Sequence, residues 1–76
     1  MEIKDFIENF ADQFDETDAS EFAAETMFRD LEEWSSLTGL AVLNMIGKKY
    51  GVRVTPTELK ACNTINSLYN LVKSKQ

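Results

Sequence analysis

The chain has 76 residues, a formal net charge of −5, a hydrophobic content of 43%, one cysteine and no histidine. A chain of this length forms one small domain, and a lone cysteine without histidine excludes an internal disulfide and a metal site of ordinary spacing. The acidic balance opposes binding to nucleic acid, and the uncharged run 34–47 is too short to span a bilayer. We therefore expect residues 1–76 to form a single, monomeric, cytoplasmic domain that neither binds nucleic acid nor inserts into a membrane.

The first predicted element is an amphipathic helix over residues 2–14. Its apolar side chains recur at helical spacing: Ile3, Phe6, Ile7, Phe10, Ala11 and Phe14. Periodicity then fades over residues 15–33, where we predict a long ordered loop with a helical turn near residues 20–24, held to the core by its apolar residues. Twelve of the 13 acidic residues lie at or before Glu33. Two interpretations of this acidic loop stay open, a solvated surface and a docking surface.

A change in composition at Trp34 marks the start of the central helix. The run 37–46 has no charged side chain, and two adjacent hydroxyl residues, Ser35 and Ser36, precede it. One serine suits the helix cap and the other the first turn, where free backbone N–H groups and the positive dipole end favour an anion. The helix should run to Tyr50 and end at Gly51, a residue suited to a left-handed cap.

Two further helices follow a short segment, Val52 to Val54, whose alternation is typical of a strand. Thr55, Pro56 and Glu58 have the spacing of a capping box with proline at the first helical position, which predicts a short helix over residues 56–61. A final helix then begins after Asn63 or Thr64, either of which is a suitable cap. The predicted fold class is all-α, a small bundle of four helices with three longer helices and one short helix.

This order of elements, with a serine followed by leucine at the head of the central helix, resembles the acyl carrier protein family. The residues that carry the resemblance span almost the whole chain: Phe28, Leu31, Ser36, Leu37, Leu40, Val42, Leu43, Ile46, Tyr50, Gly51, Val52, Val54, Thr64, Ile65 and Leu68. The family motif is Asp-Ser-Leu, and its serine is esterified to 4′-phosphopantetheine, derived from coenzyme A, by a phosphopantetheinyl transferase. Ser35 stands in place of the motif aspartate. The central helix here also lacks the acids that the family usually presents to basic partner enzymes.

The resemblance implies roles for residues around the serine motif. Ser36 is the predicted attachment residue, Ser35 is the cap and the second choice for attachment, and Leu37 either flanks the arm or packs in the core. Four residues are candidates for a surface that binds partner enzymes: Trp34, Thr38, Ala41 and Met45. For Ala41 and Met45 a buried position is an equal alternative, and for Trp34 packing over the edge of the bundle is favoured. No catalytic residue and no metal ligand is predicted.

The function implied by the resemblance is that of a free-standing carrier without enzymatic activity. Such a carrier tethers acyl or aminoacyl groups as thioesters on its arm and delivers them to loading, condensing or transferring enzymes of fatty acid, polyketide or peptide biosynthesis. One alternative is a carrier-like helical interaction protein that is never modified. A small enzyme is the other alternative, and the sequence opposes it because no residue offers a histidine base beside a nucleophile.

Overall fold

Four helices and one long loop make up the computed structural model, which describes residues 2–76. The helices are α1 (Ile3–Ala11), α2 (Ser36–Tyr50), α3 (Pro56–Ala61) and α4 (Ile65–Lys75). The predicted all-α bundle with three longer helices and one short helix is confirmed. None of the helices among residues 2–76 has both the length and the apolar character needed to cross a membrane.

The first helix is shorter than the sequence predicts. It ends at Ala11 rather than at Phe14, because the backbone N–H groups of Gln13 and Phe14 donate to Phe10 and Ala11, three residues back, and tighten the last turn. Phe14 is still buried, so the periodic apolar face continues past the end of the regular helix. Periodicity alone therefore places the buried face correctly and overestimates the length of the helix.

The loop between α1 and α2 is ordered, as predicted, but its local structure differs from the prediction. One 3₁₀ turn spans Ala19–Glu21 instead of residues 20–24, and a second, which the sequence did not indicate, spans Phe28–Asp30. Phe22 and Phe28 are buried, whereas Met27 is 54% exposed and does not help to hold the loop.

Loop carbonyls also close the N-terminus of α4. The backbone N–H of Ile65 donates to Thr26 O at 3.1 Å, and that of Asn66 donates to Ala24 O at 2.8 Å. These bonds satisfy donors that a helix start leaves without intrahelical partners. The Thr64 side chain caps the same helix by accepting from the Ser67 N–H, which decides between the two predicted caps. The loop is thus joined to the last helix as well as to the core.

The central helix has the bounds that its composition predicts, Ser36 to Tyr50, and Gly51 follows in the left-handed conformation with φ of +67°. Helix α3 has the predicted capping box, in which Thr55 Oγ1 accepts from the Glu58 N–H and Glu58 Oε1 accepts from the Thr55 N–H. Residues 52–54 have no regular secondary structure, and no strand forms among residues 2–76.

One hydrophobic core holds these elements together. Its fully buried large side chains come from α1, the loop, α2 and α4: Phe6, Phe10, Phe28, Val42, Ile46, Ile65, Leu68 and Val72. Buried positions on α2 lie toward this core, while its first turn remains at the surface. The core therefore fixes α2 on one side and leaves the start of the helix accessible.

Replacing Gly51 by Ala should destabilise the protein by about 1 kcal/mol, because a side chain is strained at positive φ. Gly47 provides a matched control in the same helix. Its nearest obstacle to a methyl group is Val52 O at 3.9 Å, so Gly47→Ala should be neutral or stabilising by up to about 1 kcal/mol. Urea denaturation of both variants measures the difference, and equal effects would contradict the assignment of Gly51 as a conformational cap.

Candidate functional site

The start of α2 is built by a hydrogen-bonded turn around Ser35. This residue is the N-cap, with extended φ and ψ of −154° and 176°, and its Oγ accepts from the Thr38 N–H at 3.3 Å. The Thr38 hydroxyl donates in turn to Glu33 O at 3.0 Å and lies 3.2 Å from Ser35 Oγ. The cap that the family motif assigns to aspartate is therefore supplied here by a neutral hydroxyl.

Ser36 occupies the first position of α2 and is exposed. Within residues 2–76 its hydroxyl has no hydrogen-bond partner, so no existing contact must break for the oxygen to react. The first turn has no acidic side chain. Free N–H groups and the positive end of the helix dipole at this position favour a phosphodiester anion. The arrangement thus fits covalently attached 4′-phosphopantetheine.

A carboxylate that the sequence did not single out joins the acidic loop to this turn. Glu33 Oε1 accepts from the Glu16 N–H, the Thr17 N–H and the Thr17 hydroxyl at 3.0, 2.9 and 2.6 Å, and Oε2 accepts from the Asp15 N–H at 2.7 Å. The Thr17 hydroxyl, followed by the Asp15 N–H, holds the pKa of the Glu33 carboxyl below its usual range. Glu33 therefore fixes the segment that leads into the serine pair.

Replacing Glu33 by Gln should lower the melting temperature at neutral pH, because an amide presents N–H hydrogens to groups that are themselves donors. The pKa of Glu33 is depressed in the folded state, so the stabilisation is present above the ordinary glutamate pKa of about 4.5 and is lost as the pH falls through the lower folded pKa. The difference in melting temperature between wild type and variant should then decrease in acid. Thermal melts from about pH 7 to pH 3 measure it.

Glu32 is a matched control for this prediction. It is the neighbouring glutamate, it is exposed, and its side chain makes no hydrogen bond within the described part of the chain. Glu32→Gln should leave the melting temperature nearly unchanged at every pH. A gap for Glu33→Gln that stays constant down to about pH 3 would contradict the role of the ionised carboxylate.

Trp34 packs over the edge of the bundle, the alternative favoured for it from the sequence. Its ring is centred 4.9 Å from that of Phe28 and lies within 3° of the plane of Phe10 at 6.4 Å. A methyl group at Gly39 would lie 3.3 Å from Trp34 Cζ2, so this glycine allows the indole to approach α2 closely. The half-buried ring keeps one part at the surface beside Ser36.

The other predicted surface residues fall into different environments. Leu37 is 80% exposed, which selects the surface alternative over core packing. Thr38 and Ala41 are half-buried. Met45 is 4% exposed and lies in the core, so its placement on a partner-facing strip is corrected. Apolar residues cover more than one face of α2, and the face that carries Met45 turns inward. The structure brings Leu37 and Ser36 together at the surface and leaves Met45 out.

A groove between α2 and α3 passes beside Ser36. It consists of two adjoining depressions that share Leu40, Leu43 and Pro56, and we call it the α2–α3 groove. Its apolar lining is provided by Trp34, Leu40, Leu43, Val52, Val54, Pro56 and Leu59. Leu40, which the sequence offered only as a family residue, is 55% exposed. The groove gives the site an apolar surface next to the hydroxyl.

Arg29 fixes the end of α3 beside this groove. Its Nη1 donates to Leu59 O and Cys62 O at 3.2 and 2.6 Å, and its Nη2 donates to Asn63 Oδ1 at 2.8 Å. No local sequence signal marks this role, because the groups that Arg29 contacts lie 30 to 34 residues further along the chain.

Other nucleophilic and ligating groups offer no competing site. Cys62 is 6% exposed, and burial raises the pKa of its thiol, which keeps the less reactive protonated form. Among residues 2–76 no cluster of three or more potential ligand residues is placed to hold a metal ion. The Ser36 hydroxyl has no histidine base anywhere in the sequence.

Comparison with known proteins identifies a family. The family model described as a phosphopantetheine attachment site matches residues 4–72. No curated protein and no solved structure matches the chain. The family match covers all four helices apart from the first residue of α1 and the last three of α4.

Proposed function

Because the chain belongs to the phosphopantetheine attachment family, whose model matches residues 4–72, we propose that Ser36 is the residue that bears the arm. The family's cofactor is covalently bound 4′-phosphopantetheine. The observation that supports Ser36 most directly is its exposed hydroxyl at the first position of α2, beside a cap supplied by Ser35. Ser35 is the weaker candidate, because its Oγ is already engaged with the Thr38 N–H.

The residues around Ser36 have different roles in holding the phosphopantetheine group. Ser35 caps α2 and orients its first turn, while the backbone N–H groups of that turn face the phosphodiester. Leu37 flanks the attachment point as an exposed apolar side chain. When bound, the arm supplies a terminal thiol that carries cargo as a thioester.

The function that follows is carriage of acyl or aminoacyl groups to partner enzymes. Domains of this family are generally carriers rather than catalysts, and the absence of histidine from the sequence agrees with that role. The partners are a phosphopantetheinyl transferase and enzymes that load, condense or transfer the cargo. Such enzymes would first meet the residues next to Ser36, which are Trp34, Leu37 and Thr38, and the half-buried Ala41 is a candidate contact further along α2.

Incubation with coenzyme A, Mg²⁺ and a permissive phosphopantetheinyl transferase tests the proposal. Intact-mass spectrometry should record the gain of one arm per chain. The alternative is an unmodified helical interaction protein, which the neutral Ser35 in place of the motif aspartate favours. No gain with any of several transferases, under conditions that fully modify an unrelated carrier, would support that alternative.

A further inference from the structure

The α2–α3 groove is lined by basic residues in a protein whose net charge is −5. Lys48 and Arg53 line one part of it, and Arg29 and Lys60 line the part next to Ser36. No aspartate or glutamate of the described chain lines either part. The sign of the local charge is therefore opposite to that of the whole protein.

Contacts within residues 2–76 leave this positive charge without an acidic partner. The single ion pair there joins Lys75 Nζ to Glu58 Oε2 at 2.9 Å, so the one acid that follows Glu33 is engaged elsewhere. Arg29 donates only to neutral oxygens, two carbonyls and an asparagine amide. Lys48, Arg53 and Lys60 are exposed. The groove thus offers cations that a partner can approach.

Apolar surface is exposed in the same place. Leu40 lines both parts of the groove and is 55% exposed, and Leu37, which lines neither part but follows Ser36 in the chain, is 80% exposed. Leu40 lies at the point that the two parts of the groove share. Apolar surface rimmed by charge is typical of sites that bind another protein.

We propose that the α2–α3 groove is a docking surface for a segment of a partner enzyme that presents leucine-like side chains flanked by aspartate or glutamate. This inference rests on the proposed function, because docking there brings the enzyme to the arm on Ser36. No aspartate or glutamate of the described chain lines the groove, so its cations are the charges that a docked segment meets at contact distance. The groove's own cations therefore select the partner at close range.

Two designed helical peptides provide the probe. Both carry leucine at the same positions, and their remaining surface carries glutamate in one and lysine in the other. Net charge alone favours the lysine peptide, whereas the groove favours the glutamate peptide. Fluorescence anisotropy with the full, unmodified chain should show the glutamate peptide binding at least about tenfold more tightly at low salt. Tighter binding of the lysine peptide, or no binding of either, would overturn the proposal.

Matched variants locate the interaction. Lys48→Gln with Arg53→Gln should weaken binding of the glutamate peptide about fivefold, as expected for two exposed ion pairs. Lys4→Gln with Lys73→Gln removes the same charge from residues that line neither part of the groove, and it should leave binding nearly unchanged. Equal weakening by both pairs would overturn the proposal, because a general charge effect would then account for the binding.

Amide chemical shifts provide an independent location. The glutamate peptide should perturb Leu40, Leu43 and Val54 and leave α1 unchanged, and the reverse pattern would overturn the proposal. These measurements use the chain without its arm, so they succeed or fail independently of transfer to Ser36. If the chain is loaded with the arm but does not bind the peptide, only the docking proposal is contradicted. If it binds the peptide but is not loaded, only the attachment proposal is contradicted.

Discussion

Ser36→Ala is expected to abolish the gain of one arm in the transferase reaction, whereas Ser35→Ala should retain it. The reason is chemical, because alanine removes the only oxygen at position 36 that can form the phosphodiester. Ser36 is exposed and its hydroxyl has no partner within residues 2–76, so Ser36→Ala should change the free energy of unfolding by less than about 0.5 kcal/mol. Intact mass and thermal melting of the same samples measure both effects.

Ser35→Ala tests the other half of the assignment. Loss of the side chain that accepts from the Thr38 N–H should cost about 1 kcal/mol, while the arm is still added at a reduced rate. Ser35→Asp restores the family motif and retains the cap, so it should be modified at least as fast as the wild type. Loading of Ser36→Ala together with failure of a folded Ser35→Ala would move the attachment point to Ser35.

The parts of the fold that sequence predicts well are those with a local signal. The bounds of α2 follow from a serine cap and a terminal Gly51, and α3 follows from the capping box of Thr55 and Glu58. These features act over four or five residues, so they can be identified without knowledge of any tertiary contact. The end of α1 and the turns of the loop depend on packing. There the sequence predicted which apolar residues are buried better than it predicted the backbone conformation.

Prediction of the site divides along the same line. The two serines can be distinguished from sequence because capping is a local interaction. The Glu33 carboxylate meets residues 15–17, and Arg29 meets the end of α3, so neither contact has a local sequence signal. For Met45 the sequence left a partner-facing and a buried position equally open, because α2 is apolar on more than one face and only the surrounding core decides which face turns inward.

The site depends on the loop, and the loop is held by a cluster of aromatic rings around Phe10. Phe10 is fully buried, and its ring centre lies 5.4 to 6.4 Å from those of four rings, Phe14, Phe22, Phe28 and Trp34. All four rings lie between the end of α1 at Ala11 and the start of α2, and Trp34 belongs to the segment that leads into Ser36. Among the aromatic residues of α1, Phe10 therefore makes the main contact with the segment that supports the site.

Phe10→Ala should destabilise the protein by about 3 to 5 kcal/mol, since it removes a fully buried ring and leaves a cavity. Domains of this size have a free energy of unfolding of about 4 to 11 kcal/mol, so Phe10→Ala should lose a large share of it and be partly unfolded at 37 °C. Phe10→Leu is the matched control, and it should cost about 1.5 kcal/mol because it retains most of the apolar volume. Guanidinium denaturation followed by circular dichroism measures both.

Trp34 is the only tryptophan, so its fluorescence reports separately on the loop and the start of α2. If the cluster joins the loop to the helices as one cooperative unit, fluorescence and circular dichroism should give coincident transitions for the wild type and Phe10→Leu. Addition of the arm should then fall in Phe10→Ala in proportion to the folded fraction. A fluorescence transition at clearly lower denaturant would mean that the loop detaches first, and that the helices hold Ser36 in place without it.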